Sequence, residues 1–77
     1  MSNSQNVIGE TIIVNGQERP FPQVHSLSAI LQELGIKPDE KGVAVAVEGE
    51  VVTRQHWASV RLEPGNHVEV LRAVQGG

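Results

Sequence analysis

One amphipathic helix set between strand-like segments constrains the fold of this chain most. Four apolar residues recur at the i, i+3, i+4 and i+7 spacing of a single helical face: Leu27, Ile30, Leu31 and Leu34. Ser26 is the predicted N-cap, because its hydroxyl can accept from a free backbone N–H of the first turn. Gly35 is the predicted C-terminal stop, with Ile36 folding back onto the last turn.

The segment before the helix predicts a β-hairpin. Residues 11–14 are rich in β-branched side chains and run into Asn15-Gly16, a dipeptide that tolerates the positive φ angles of a two-residue turn. The return strand, 17–21, contains Pro20 and is followed by another proline. Because proline cannot donate a ladder hydrogen bond, this strand should be short and lie at a sheet edge.

A second hairpin and a last strand follow the helix. Residues 43–47 and 50–52 would pair through a tight turn at Glu48 and Gly49, although glutamate tolerates positive φ less well than asparagine. The last strand is 67–73. The order hairpin, helix, hairpin, crossover and strand predicts an α+β, ubiquitin-like β-grasp: a mixed four- to five-stranded sheet packed on one helix.

Strand alternation assigns the side chains to two faces of the sheet. Successive strand residues point to opposite sides, so we expect five valines to face the helix: Val43, Val45, Val47, Val68 and Val70. If strands 43–47 and 67–73 are neighbours, four small or apolar residues share the outer face: Ala44, Ala46, Leu71 and Ala73. Trp57 should seal one end of the core.

Composition excludes several classes of function. The net charge is −3, from nine acidic and six basic residues, and there is one Trp and one Phe, so we expect no nucleic-acid partner. The chain has no cysteine, and its three histidines lie in different segments, so we expect no metal site. The polar start resembles neither a signal peptide nor a membrane span, which predicts a cytoplasmic protein without a membrane partner. Glu48 and Glu50 flank a turn that offers no cleft for acid-base catalysis, and we expect both to be solvated.

The chain ends on Gly76-Gly77, which places a carboxylate after two residues without side chains. Such a segment can enter a channel that excludes larger residues. We therefore expect the chemistry at the Gly77 carboxylate, on a flexible tail formed by Val74, Gln75, Gly76 and Gly77. The domain would occupy residues 10–73, after a flexible extension at 1–9.

Five segments together resemble the ThiS family, the sulfur carrier proteins of thiamin (thiazole) biosynthesis. They are Ile13-Val14-Asn15-Gly16, Leu31-x-x-Leu34-Gly35, Val43-Ala44-Val45-Ala46-Val47-x-Gly49-Glu50-Val51-Val52, Arg54-x-x-Trp57 and Val68-Glu69-Val70-x-x-Ala73-Val74-Gln75-Gly76-Gly77. The resemblance covers residues 11–77. Glu48 and Thr53 depart from the family, which often has Asn and Pro there, and residues 1–9 extend beyond it.

This resemblance implies a carrier and not an enzyme. A ubiquitin-activating-like partner of the ThiF type would adenylate the Gly77 carboxylate, and sulfur from a cysteine desulfurase or another donor would convert it to a thiocarboxylate. The thiocarboxylate would deliver sulfur to a thiazole synthase of the ThiG type. The chain lacks a phosphate-binding glycine motif, so ATP and Mg would be supplied by the adenylating partner and no cofactor would be bound by the carrier itself.

The outer face is the candidate docking surface for these partners. It would comprise Ala44, Ala46, Leu71 and Ala73, with Arg72 as an ion-pair partner at the rim. Scattered apolar surface residues are also common in proteins without such partners.

Two alternative functions remain. The small subunit of molybdopterin synthase shares the predicted fold and the diglycine end, but usually opens with a longer, aromatic-containing strand. A ubiquitin-like protein modifier or a plain interaction domain would use the tail to form isopeptide bonds, or not use it at all.

Overall fold

The structure, a computed structural model, describes residues 10–73. The predicted extension at 1–9 and the predicted tail at 74–77 lie outside the described residues. The elements are β1 (Thr11–Val14), β2 (Gln17–Pro20), α1 (Leu27–Glu33), β3 (Val43–Val47), β4 (Glu50–Val52), a short 3-10 turn (Arg54–His56) and β5 (His67–Arg72).

The five strands form one mixed sheet in the order β2-β1-β5-β3-β4. The central strand β5 runs parallel to β1 and antiparallel to β3, and both hairpins are antiparallel. The predicted β-grasp arrangement of a mixed sheet and one helix is therefore confirmed. Strand β2 lies at the sheet edge, as its proline predicts.

Both predicted hairpin turns form with positive φ at their two central residues. The angles are 51° and 83° at Asn15 and Gly16, and 51° and 83° at Glu48 and Gly49. Glu48 makes more contacts than the expected solvated carboxylate, because its Oε2 accepts from the backbone N–H of His67 at 2.6 Å. The side chain thus binds the first residue of β5.

Helix α1 begins and ends as its sequence predicts. The Ser26 hydroxyl accepts a hydrogen bond from the Ala29 N–H at 3.2 Å. Gly35 adopts a φ of 83°, and the Ile36 N–H donates to the Leu31 carbonyl at 2.9 Å. This is the backbone pattern that terminates many helices, and it returns the buried Ile36 side chain to the core.

The core lies between α1 and the inner face of the sheet. Its buried residues are Ile12, Val14, Leu27, Ile30, Leu31, Ile36, Val45, Trp57, Leu62, Val68 and Val70, with Val43 and Val47 packed against them. The predicted inward orientation of the valines is thus confirmed. Trp57 is buried, and its indole N–H donates to the Val52 carbonyl at 3.0 Å. Its predicted place in the core is confirmed.

Candidate functional site

The outer face of the sheet brings together residues from three strands. In the ladder, Ala44 lies opposite Leu71, and Ala46 lies opposite both Glu69 and Val51. The Leu71 side chain is 70% exposed. The prediction that Ala44, Ala46 and Leu71 share one face is confirmed. We use "docking face" below for this candidate docking surface, which comprises Ala44, Ala46, Val51 and Leu71.

Val51 is the residue of this face that the sequence analysis missed. It is 76% exposed, which is more than Leu71. The signal was present in the sequence, because a two-residue turn at Glu48 and Gly49 necessarily places Val51 opposite Ala46. The docking face therefore extends across β3 to the edge strand β4.

Acidic rather than basic charge lies beside the docking face. Glu69 is exposed, and it lies on the same side of the sheet as Leu71 because it comes two residues before Leu71 in β5. An apolar centre with a polar, solvent-accessible rim is the usual composition of a protein interface. A partner complementary to this face would thus present apolar side chains with a basic group beside them.

Arg72 does not lie at the rim of the docking face, so its predicted position is wrong. The register places it opposite Val43, on the helix side of the sheet. Its guanidinium donates to both Glu40 carboxylate oxygens, at 3.1 and 3.2 Å, and to the Gly35 carbonyl at 3.3 Å. The physical reason is strand alternation, since a residue next to Leu71 must point to the opposite face.

Glu40 accepts hydrogen bonds from two directions. The backbone N–H of Lys37 donates to its Oε1 at 3.2 Å, and Arg72 donates to both oxygens. The Lys37 hydrogen bond, followed by that of Arg72, lowers the pKa of the Glu40 carboxyl from its ordinary value. The carboxylate is therefore charged at neutral pH and pairs with Arg72.

The end of β5 defines where the chain continues toward Gly76 and Gly77. The exposed Ala73 follows β5 directly, and its backbone N–H donates to the Gly42 carbonyl at 2.6 Å. The four tail residues predicted to carry the chemistry, including Val74 and Gln75, lie outside the described residues. The structure thus fixes the position of Ala73, the residue to which the tail is attached, and we call Ala73 the root of the tail.

The remaining candidate features of the surface are structural. His25 stacks edge-on against Phe21 with the ring centroids 4.7 Å apart, and His56 Nδ1 lies 3.0 Å from the Thr53 hydroxyl. Within residues 10–73, no group of three His, Cys, Asp or Glu side chains is placed to hold a metal ion. No helix in this part of the chain is long and apolar enough to cross a membrane.

A cleft of about 460 Å³ opens on the helix side, between the end of α1 and the 3-10 turn. Trp57 and Leu31 line it together with Arg54, whose guanidinium lies 4.5 Å from the centre of the Trp57 ring. This cleft is on the opposite side of the sheet from the docking face.

The ThiS family model matches residues 9–77, which include the whole described domain and Gly76-Gly77. The chain belongs to the ThiS family. The resemblance noted in the sequence is thereby confirmed, and family membership supports a role as a sulfur carrier.

Two known proteins illustrate the relationship. The chain is 33% identical over 66 residues to a protein named thiazole synthase from Paramagnetospirillum magneticum, and the match covers 86% of this chain but 20% of that protein. The crystal structure of the thiamine biosynthesis protein ThiS from Geobacter metallireducens superposes with a TM-score of 0.68 at 25% identity, covering 87% of this chain and 99% of that one.

Proposed function

We propose that this chain is a sulfur carrier whose Gly77 carboxylate is adenylated by a partner enzyme and then converted to a thiocarboxylate. The thiocarboxylate would donate sulfur to thiazole formation in thiamin biosynthesis. The observation that carries this proposal is the ThiS family match, which runs through Gly76-Gly77. The superposition on a thiamine biosynthesis protein supports it.

The proposed chemistry begins at the unactivated carboxylate. One of its oxygens attacks the α-phosphorus of ATP, pyrophosphate leaves, and an acyl adenylate forms on Gly77. AMP is a far better leaving group than oxide, so the acyl carbon becomes open to attack by sulfur. ATP and Mg belong to an adenylating partner of the ThiF type.

Sulfur then replaces AMP on the acyl carbon. A persulfide, such as the one a cysteine desulfurase supplies, attacks this carbon and expels AMP, which leaves an acyl disulfide. A thiol then cleaves the sulfur–sulfur bond. It forms a disulfide with the donor sulfur and releases the thiocarboxylate and a proton.

In the proposed mechanism the tail carries the reacting carboxylate and the docking face supplies the binding energy. Four residues reach about 13 Å when they are fully extended, and ordering the four tail residues costs roughly 4–8 kcal/mol. Docking of the folded domain has to offset that cost. Covering the exposed Val51 and Leu71 would contribute about 1–2 kcal/mol each, and Ala44, Ala46 and contacts at Ala73 would add to this.

A thiazole synthase of the ThiG type is the proposed sulfur acceptor. The support is the relative that bears that name, of which this chain matches 20%. Both partners would use the docking face, which presents the same apolar surface to each in turn.

The test is the intact mass of the protein after incubation with a ThiF-type enzyme, ATP, Mg, cysteine, a cysteine desulfurase and a thiol. The wild-type protein should gain the mass of one sulfur in exchange for one oxygen. A variant with one alanine added after Gly77, or with Gly77 deleted, should keep its circular dichroism spectrum and stay unmodified. Conversion of the extended variant at the normal rate would refute the assignment to Gly77, and high-mass adducts would identify a protein modifier instead.

A further inference from the structure

Ala73, the root of the tail, contacts Gly42, a position where a residue with a side chain would be strained. Gly42 has a φ of 76°, which residues with side chains rarely adopt. A Cβ at Gly42 would lie 3.1 Å from the Ala73 Cβ, while the Gly42 carbonyl accepts from the Ala73 N–H. The position of Gly42 therefore sets the position of Ala73.

Two arginines hold the loop that carries Gly42. Arg54 donates to the Pro38 carbonyl at 2.7 Å and also to the Glu40 carbonyl. Arg72 donates two parallel hydrogen bonds to the Glu40 carboxylate. This geometry restrains both the distance between the two side chains and their relative orientation. One arginine comes from the 3-10 turn and the other from β5, so the loop is fixed from both sides.

We propose that Gly42, Glu40, Arg54 and Arg72 form a clamp that positions the root of the tail for adenylation. The proposal rests on the proposed function, because it assigns these residues a part in presenting the Gly77 carboxylate. Loss of the clamp would let Ala73 shift, and a shift of Ala73 would misplace the Gly77 carboxylate when the tail is bound in the active site of the partner. Misplacing a reacting atom by about 1 Å can lower a rate as much as 100-fold.

The clamp and the docking face lie on opposite sides of the sheet. Variants can therefore test the positioning of the tail separately from the binding of the partner. Arg72 and Glu40 meet on the helix side of the sheet, whereas Leu71 and Ala44 lie on the outer side. A clamp variant should therefore lower kcat in the adenylation reaction and leave the KM for the carrier unchanged. A docking variant should instead raise KM.

The experiment measures ATP–pyrophosphate exchange by a ThiF-type enzyme at varied concentrations of carrier. Glu40→Gln, which removes the ion pair, should lower kcat by about tenfold or more without raising KM. Arg72→Ala should do the same, and Arg72→Lys, which keeps the charge but loses the two parallel bonds, should give an intermediate kcat. Glu33→Gln is the matched control, since it removes an exposed carboxylate at the end of α1.

Thermal unfolding of each variant separates positioning from folding. The Arg72 and Glu40 side chains are partly exposed, so the melting temperatures should stay close to wild type. Wild-type kcat in Glu40→Gln and Arg72→Ala would overturn the clamp, as would a raised KM at normal kcat. Failure of the wild-type protein to support exchange would instead refute the proposed function, and the clamp would fall with it.

Discussion

The substitution Leu71→Glu probes the docking face most sharply. Fully burying a leucine side chain contributes about 1.5–3 kcal/mol. Because 70% of Leu71 is exposed, its share in the stability of the free domain is below about 1 kcal/mol. Covering the exposed part would contribute about 1–2 kcal/mol, which corresponds to roughly 6- to 30-fold in affinity. A buried glutamate without a partner would weaken binding further.

Calorimetric titration of a ThiF-type enzyme with the carrier measures this loss. Val24→Glu is the matched control, since Val24 is 65% exposed but lies in the loop between β2 and α1, outside the strands that form the docking face. Val51→Glu should weaken binding as Leu71→Glu does, and Val24→Glu should not. Equal affinity for the Leu71→Glu and wild-type proteins would refute the docking face. A large drop in melting temperature would show that Leu71 belongs to the core.

Three further predictions concern the fold. Asn15→Ala removes two side-chain hydrogen bonds to the β5 backbone and forces alanine to a φ of 51°. Urea unfolding should show that the free energy of unfolding falls by about 3 kcal/mol. Asn15→Gly, which relieves the backbone strain, should lower it by about half as much. Trp57→Phe deletes the indole bond to the Val52 carbonyl and should cost about 2 kcal/mol in the same assay. The lowered pKa of Glu40 means that its pairing stabilises the protein above the ordinary pKa and is lost as pH falls through the lowered value; an NMR titration of its carboxyl carbon that showed an ordinary or raised pKa would contradict this.

The local elements of the fold could be predicted from the sequence because short-range chemistry determines them. Asn15-Gly16 suits positive φ at both positions, and the predicted turn forms there. Ser26 and Gly35 likewise set the two ends of α1 through contacts within a few residues. The inward valines followed from strand alternation alone.

The contacts at the root of the tail could not be predicted in this way. Arg72 and Glu40 are 32 residues apart in the chain, and nothing in the local pattern of either indicates the other. Strand alternation alone predicts that Arg72 lies on the helix side of the sheet, because its neighbour Leu71 lies on the outer side. The predicted position at the rim of the docking face is wrong because it did not apply this alternation. Glu48 is exposed as expected, but its hydrogen bond to β5 could not be predicted because the donor, the His67 N–H, comes 19 residues later in the chain.

Transfer of labelled sulfur tests the central claim most directly. The carrier is loaded with a heavy sulfur isotope, purified as the thiocarboxylate, and incubated with a ThiG-type thiazole synthase and the other substrates of that enzyme. The account predicts that the label appears in the thiazole product while the carrier returns to the mass of the free Gly77 carboxylate. A labelled carrier that keeps its sulfur while thiazole forms with sulfur from another source would contradict it.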